Sequence, residues 1–389
     1  MYFYIRKILG FLENLKNNPT IRLLRKFLIL IYKCIQHKID NKKLKREKIN
    51  FIVEKANWAI RWDGIYITNS INKFIAKGIS IISTIPLLQS DKKVIHFASQ
   101  YMWLDWHKLL PKKNKYIVSF FHGKHEDGNN VSKHIDEFIR TKDSIYRVIT
   151  ASSLVKKRLI KWGIPNKKIV LIHTGVDTSL FSIPTQEKRL IARKKLGITN
   201  NKLVIGSFQK DGIGWGDGNL PKYIKGPDIF AKAVEIIAKK FPTIVLLTGP
   251  SRGYLKNELD KRNIRYKHFF LEDYEEIIHY YHALDLYIVS SREEGGPKSL
   301  IESMASGVPV VTTNVGMGQD FIKDKINGGI VNCFDPIVIA EKSLEILKLP
   351  KKELIFQARK DVMKADWNVV AKLHWEKAYK PALEELNSI

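Results

Sequence analysis

The stretch Glu294-Gly-Gly-Pro-Lys-Ser-Leu-Ile-Glu302 sets two carboxylates on either side of a Gly-Gly turn, with seven residues between them. It opens an apolar helical pattern of Leu300, Ile301, Met304 and Ala305. The segment ahead of it, Asp285-Leu-Tyr-Ile-Val-Ser-Ser291, reads as a short buried strand, and Val308-Pro-Val-Val-Thr312 starts the next. Strand, glycine turn and helix in that order present unpaired backbone N–H groups at a helix N-terminus, a ready anion site. Glu294 is expected in the turn and Glu302 in the helix, near enough to grip one ligand at two points. Either glutamate alone also suits a plain helix start, where the dipole favours acidic residues. The combination with Gly295-Gly296 and Ser306-Gly-Val-Pro309 favours the ligand.

Outward from this stretch the chain alternates short apolar runs with helical patterns. Runs at 93–97, 116–121, 146–150 and 169–173 suit parallel strands buried on both faces, and 152–162 reads as a helix between two of them. Residues 57–62 read as a strand, Asp63-Gly64 as a turn and 65–76 as a helix. After a pause around 182–185 comes a Lys- and Arg-rich helix, 186–196. A second series then has strands at 203–206, 243–247, 268–271, 286–289 and 308–312, with helices at 227–240 and 273–283. The tail, 366–379, is a helix with aromatic anchors. This alternation predicts doubly wound α/β domains, and 389 residues exceed the usual size of one core.

The 294–302 stretch resembles the E-x7-E signature of the retaining, nucleotide-sugar-dependent glycosyltransferases with the GT-B fold, above all the bacterial members that build surface polysaccharides. Val148-Ile-Thr-Ala-Ser-Ser153, Leu159-Ile-Lys-Trp-Gly-Ile-Pro165 and Lys168-Ile-Val-Leu-Ile-His-Thr-Gly-Val-Asp177 are similar to the end of that family's first domain. The resemblance implies an α/β GT-B architecture, two Rossmann-like doubly wound domains facing across a cleft. A basic arm at 1–50 would precede an acceptor domain at 51–184, completed by the helix 366–389, and a donor domain at 185–365.

The resemblance also implies roles. Glu302 matches the carboxylate that holds the ribose hydroxyls, and Glu294 the one that meets the donor sugar. Gly295, Gly296 and Pro297 would turn backbone amides toward sugar and phosphate, and Ser299 and Leu300 would start the helix that touches the diphosphate. Gly206 closes the first strand of the donor domain and is expected among the residues that bind the donor. Beyond it Lys210 stands where the family has an arginine, and Lys225 where it has the lysine of a Lys-Gly pair. A departing diphosphate develops negative charge and needs fixed cations there. Lysine for arginine keeps the charge and loses the planar fork. The glycine-dense insert Asp211-Gly-Ile-Gly-Trp-Gly-Asp-Gly218 is expected to be a mobile loop. His122 looks like the family histidine at a strand end facing the donor sugar, and Gly64 stands where a glycine turn faces the acceptor.

The formal charge is +27. Part of it is general lysine usage; the rest concentrates in residues 1–50, where basic residues interleave with apolar ones at helical spacing. An anionic membrane surface, packing on the domain, and nucleic acid are three readings of such an arm. No basic-aromatic stacking pattern supports nucleic acid. Cys34 and Cys333 show no metal or redox spacing, which suits a reducing setting. The longest early apolar run, 27–32, falls short of the roughly 20 residues that span a bilayer, and no secretory signal pattern is present. The expected place is therefore cytoplasmic, peripheral on the inner face of the membrane.

No Ser-His-Asp set, zinc spacing, GxGxxG or Asp-x-Asp motif occurs, so no metal and no cofactor is expected beyond the donor substrate. The expected reaction is retaining transfer of a hexose-type sugar from a nucleotide diphosphate to a lipid-linked or growing glycan, as in capsule, O-antigen or exopolysaccharide synthesis. A sugar-nucleotide epimerase and a catalytically idle scaffold are the alternatives.

Overall fold

Among the described residues twelve short strands form two six-stranded sheets, and every strand pair in both is parallel. The computed structural model describes residues 47–55, 59–86, 92–214, 216–271 and 273–388, with positions 4–5, 8–9, 20–21, 24–25, 27–29 and 31–32 of the arm. The chain divides into two units, Met1–Thr150 with Lys156–Ile172 and Trp367–Ile389, and Ala151–Val155 with His173–Asp366. The passage from one to the other at 172–173 lies upstream of the boundary expected at 184.

The first unit holds β1 (Ile49–Ile52), β2 (Ser80–Ser83), β3 (Val94–Phe97), β4 (Lys115–Ser119), β5 (Arg147–Thr150) and β6 (Ile169–Leu171). Their order is β2-β1-β3-β4-β5-β6. Most of these strands are near-continuous apolar runs, as strands covered on both faces require. One face is covered by the helix Ala59–Phe74 and by the C-terminal segment, whose Trp367, Val370, Ala378, Tyr379 and Leu386 join Ile49, Val94, Ile117 and Ile149 in one core. Tyr66 stacks on Trp367 with ring centroids 5.0 Å apart.

The beginning of this unit corrects the sequence reading. Residues 59–62 belong to the helix Ala59–Phe74, not to a strand; 57 and 58 lie outside the described residues. Asp63 and Gly64 are buried inside that helix and form no turn. A Cβ at Gly64 would lie 2.6 Å from Val53 Cγ1, so its glycine serves close packing on β1 and its neighbours, and not an acceptor turn. The true first strand, Ile49–Ile52, starts within the expected arm. Most of the arm lies outside the described residues. Its described positions are helical, with Ile5, Leu9, Ile29 and Tyr32 buried and Tyr4, Ile8, Leu24 and Phe27 exposed. The Arg25 guanidinium lies 5.0 Å from the Trp106 ring centre. Among the described residues no helix is long and apolar enough to cross a membrane.

The second unit holds β7 (Leu203–Ser207), β8 (Thr243–Thr248), β9 (Arg265–Phe269), β10 (Leu286–Val289), β11 (Val310–Thr313) and β12 (Gly329–Val331), ordered β12-β11-β10-β7-β8-β9. Counted within the unit this is the 3-2-1-4-5-6 order of a dinucleotide-binding sheet, whose topological switch point lies between β7 and β10. The helices Pro227–Ala238 and Pro336–Lys348 pack one face of it through Ile229, Phe230, Val234, Ile339 and Leu344. The basic helix Gln186–Lys195 is fixed by Asp285. Arg189 and Arg193 each donate to one of its oxygens, at 2.5 and 2.6 Å, and Val204 N donates to the second at 2.9 Å. Both units thus carry the expected doubly wound α/β architecture.

Candidate functional site

At the carboxyl end of β10 the chain runs Ser290-Ser-Arg-Glu-Glu-Gly-Gly-Pro297 into the helix Lys298–Ala305. A single 3-10 turn, Tyr223–Lys225, is stitched to this run. Arg292 N donates to Ile224 O at 2.8 Å and Ser290 Oγ to Gly226 O at 2.9 Å. Gly226 sits at φ +63°, and a Cβ on it would lie 1.9 Å from Ser290 O. Only glycine permits that approach, and the approach is what brings Lys225 to Glu294. Lys225 Nζ donates to Glu294 Oε1 at 2.6 Å, and Ser291 Oγ donates to the same oxygen at 2.8 Å. Glu294 is buried and Lys225 half-buried, so the pair is partly desolvated and its attraction correspondingly strong.

Glu302, also buried, lies on the following helix. Its two oxygens accept from different tyrosines, Tyr274 OH on Oε1 and Tyr281 OH on Oε2, the latter at 2.7 Å. These two bonds, one on each oxygen, orient the carboxylate. Burial, reinforced by the Glu302 charge, pushes the Tyr281 hydroxyl well above its ordinary pKa, keeping it a donor.

Gly295 and Gly296 occupy the expected turn, where Gly296 has Thr174 and Ala151 at its Cα. Gly316, at φ +52°, packs on Gly295 O and Pro297. Ser299 is half-buried at the helix start, where its side chain bonds Tyr287. Leu300 differs from expectation. Its side chain is wholly buried and its N–H is engaged by Pro297 O at 3.1 Å, so it anchors the helix in the core. Gly206 differs too. It lies inside β7, and a Cβ there would meet Leu284 Cδ1 at 2.4 Å, so its role is packing of the sheet.

Lys210 follows β7 at the switch point, and burial lowers its ammonium pKa. A third cation, Lys222, was not read from sequence. Much of its side chain is open to water, yet its ammonium is shifted downward, by desolvation first, then by the charges of Lys225 and Lys210, with Glu294 opposing. Lys222 thus feels both Lys225 and Lys210 as like charges and Glu294 as the opposite one, an excess of positive charge that favours an anion. The signal that escaped notice is the Lys222-Tyr-Ile-Lys225 spacing, which brackets a single 3-10 turn.

The insert after Lys210 is pinned, contrary to the mobile loop expected. Lys222 N donates to Asp211 O at 2.7 Å and Ile213 N to Leu220 O at 2.9 Å, closing a hairpin. Gly212 and Gly218 lie against the backbone of Ser251, and Gly253 N donates to Asp217 O at 2.6 Å. At its root Asp211 faces Arg252 at 3.0 Å with both side chains buried, while Arg252 also donates to Ser207 O and Thr248 O. Trp215 lies outside the described residues.

In the first unit, His122 is exposed beyond the carboxyl end of β4, and its carbonyl accepts from Gln100 Nε2 at 3.3 Å. Deeper in the same unit is a second polar cluster. His96 Nδ1 and Tyr379 OH are 2.7 Å apart, His96 Nε2 and Ser119 Oγ 2.9 Å, and the His374 ring centre is 5.9 Å away. Burial, with the neighbouring His374, holds His96 well below its ordinary pKa, and burial lowers His374 to about 4. Among the described residues no group of three or more His, Cys, Asp or Glu is placed to hold a metal ion.

Residues 218–361 match the family model for glycosyl transferases group 1, and residues 69–180 that for glycosyltransferase family 4. The two matches together support a group 1 glycosyltransferase. Among its relatives is the lipopolysaccharide core biosynthesis mannosyltransferase LpsB of Rhizobium meliloti, 30% identical over 41% of this chain and 43% of that protein. The O-antigen biosynthesis glycosyltransferase WclY of Escherichia coli is 27% identical over 40% of each chain. The chain spans between 37% and 64% of the length of the curated relatives it matches. Anabaena HepE, solved with UDP and glucose, superposes on 88% of this chain with a TM-score of 0.67 at 14% identity. A glycosyltransferase from Rickettsia africae superposes on 87% with a TM-score of 0.63 at 18% identity. At these identities the structural likeness establishes the fold.

Proposed function

We propose that the chain transfers a hexose-type sugar from a nucleotide diphosphate to a hydroxyl of a lipid-linked or growing surface glycan, with retention at the anomeric carbon. The observation that carries this reading is the Lys225–Glu294 pair, joined by Lys222 and Lys210 at the switch point of a 3-2-1-4-5-6 sheet. As the bond from the anomeric carbon to the diphosphate breaks, negative charge grows on the leaving oxygen and positive charge on the sugar. Fixed lysines meet the first and the Glu294 carboxylate the second, which is stabilisation specific to the transition state. Glu302, oriented by Tyr274 and Tyr281, takes the ribose hydroxyls. The departing phosphate receives the acceptor proton. No step in this scheme requires a metal ion or a further cofactor. The roles named for LpsB in lipopolysaccharide core and WclY in O-antigen synthesis support a surface-polysaccharide acceptor. The exposed Tyr4, Ile8, Leu24 and Phe27 of the basic arm suit contact with an anionic membrane from the cytoplasmic side.

The test is a thermal-shift and turnover screen across UDP-, GDP- and other nucleotide sugars. A bound donor at 100 times its dissociation constant raises stability by about 2.7 kcal/mol. Absence of binding by every nucleotide diphosphate overturns the proposal. NMR of the product reads the anomeric configuration, and inversion overturns the retaining mechanism.

A further inference from the structure

α/β sheets keep their ligands beyond the carboxyl ends of the strands. The first unit carries a cavity of about 620 Å³ at the other end, where β4, β5 and β6 begin. That volume lies within the range of small-molecule sites. Trp103, Tyr116 and Ile145 give it buried apolar walls. Six cations line it, Lys108, Lys112, Lys115, Arg147, Lys167 and Lys168, with Asp143 as the one lining carboxylate.

Few of these charges are compensated locally. Lys115 pairs with Glu385 at 2.5 Å, and Lys108 reaches Glu137 only at 3.9 Å across exposed surface. Among the described residues no carboxylate comes within ion-pair distance of Lys112, Arg147 or Lys167. The Arg147 guanidinium is held 4.4 Å from the Tyr146 ring centre, and Lys168 Nζ is tied to Lys142 O at 2.8 Å. Two of the cations are therefore fixed in place, which lowers the ordering cost of binding. Desolvation shifts Lys168 downward; Asp143 opposes this, while Lys167, Arg147 and Lys142 reinforce it.

We propose that this cavity is a second anion site, separate from the Lys225–Glu294 cluster, and that it binds a phosphate-bearing ligand. Several convergent cations of fixed and mobile kinds suit the multiple charged oxygens of a phosphate ester. Such a group comes from an anionic lipid headgroup or from a soluble phosphate compound.

The experiment compares the full chain with its K112E/K167E variant. Both lysines are exposed, so the variant is expected to fold, and its melting temperature checks this. One arm titrates inorganic pyrophosphate by calorimetry. The other measures sedimentation with phosphatidylcholine vesicles, with and without phosphatidylglycerol. A lysine near an anionic surface contributes about fivefold in affinity, so two reversals are expected to weaken the relevant probe roughly 30-fold or more. Pyrophosphate held at Lys222 and Lys225 survives the substitution, so the lost component reads this cavity. Loss of pyrophosphate binding identifies a soluble ligand, and loss of vesicle binding a lipid headgroup. A K239E/K240E variant of equal net charge is expected to retain both. If neither probe is lost in K112E/K167E, or if the control loses as much, the proposal is wrong.

Discussion

Two buried polar clusters, one from each unit, are built differently. In the second, Glu294 and Glu302 are 7% and 4% exposed, and cations gather around the first of them in excess of its charge. In the first, His96 and Tyr379 are wholly buried, both imidazole nitrogens of His96 have partners, and burial keeps the histidines from charging. The histidine cluster is satisfied within the chain and has no electrostatic demand left over. In the lysine–glutamate cluster Lys222 feels two like charges, Lys225 and Lys210, against the single opposite charge of Glu294. Burial alone therefore does not mark a site; unbalanced charge at a strand's carboxyl end does.

Breaking the charged cluster should have the largest effect. Lys225→Ala removes a cation from the leaving group and leaves Glu294 buried without its ion pair. A loss of about 10²–10³ in kcat/KM is expected, or about 3–4 kcal/mol. A fall of less than tenfold in steady-state turnover would take Lys225 out of the chemistry.

Acid should distinguish the clusters next. The folded pKa of His374 is lowered to about 4 from an ordinary value of 6.5. The unfolded chain therefore gains a proton first, and stability is lost as pH falls from about 6.5 to about 4 and then levels. Each pH unit removes up to about 1.4 kcal/mol, so this histidine alone accounts for about 3 kcal/mol. Denaturant melts of His374→Phe should be flatter over that window than those of the parent; parallel curves would contradict the assignment.

Tyr379→Phe should cost about 2 kcal/mol by leaving His96 Nδ1 without its partner. Its kcat at a temperature where it is folded should equal that of the parent, in contrast to Lys225→Ala. The smallest effect sharpens the charged cluster. Lys222→Gln should raise KM for the donor about fivefold, close to 1 kcal/mol, with little change in kcat. The rise should shrink in high salt, because this lysine is open to solvent.

Much of this architecture could be read along the chain, because continuous apolar runs such as 243–247 and 286–289, bounded by turn signals, carry their own signal. The entry to the first unit could not. Trp58, Ile60 and Trp62 alternate like a strand, whereas the buried Asp63, Ile67 and Ile71 reveal helical spacing once an aspartate and a glycine are accepted as interior. Ile49–Ile52 is only four residues long and borders a lysine run, so composition hid it. At the candidate site, Lys225 and Glu294 stand out because Gly226 and Gly295-Gly296 mark the turns that position them. Tyr281 lies 21 residues before Glu302, and Lys222 reaches the site through a hairpin closed by tertiary contacts. Neither relation has a local pattern in the sequence. The same limit explains the insert, whose Gly212 and Gly218 allow tight approach to Ser251 and do not confer freedom.

The first unit's core contains Trp367, Val370, Tyr379 and Leu386, which has a consequence for birth order on the ribosome. Residues 1–172 emerge first but lack the C-terminal segment that, with the helix Ala59–Phe74, covers one face of their sheet, so the earliest part of the chain is the later one to become complete. The second unit, apart from Ala151–Val155, is one unbroken stretch, His173–Asp366, and can close as soon as that stretch is out. Until then the amino-terminal sheet is a nascent surface of exposed apolar side chains, and chaperone demand should fall on it.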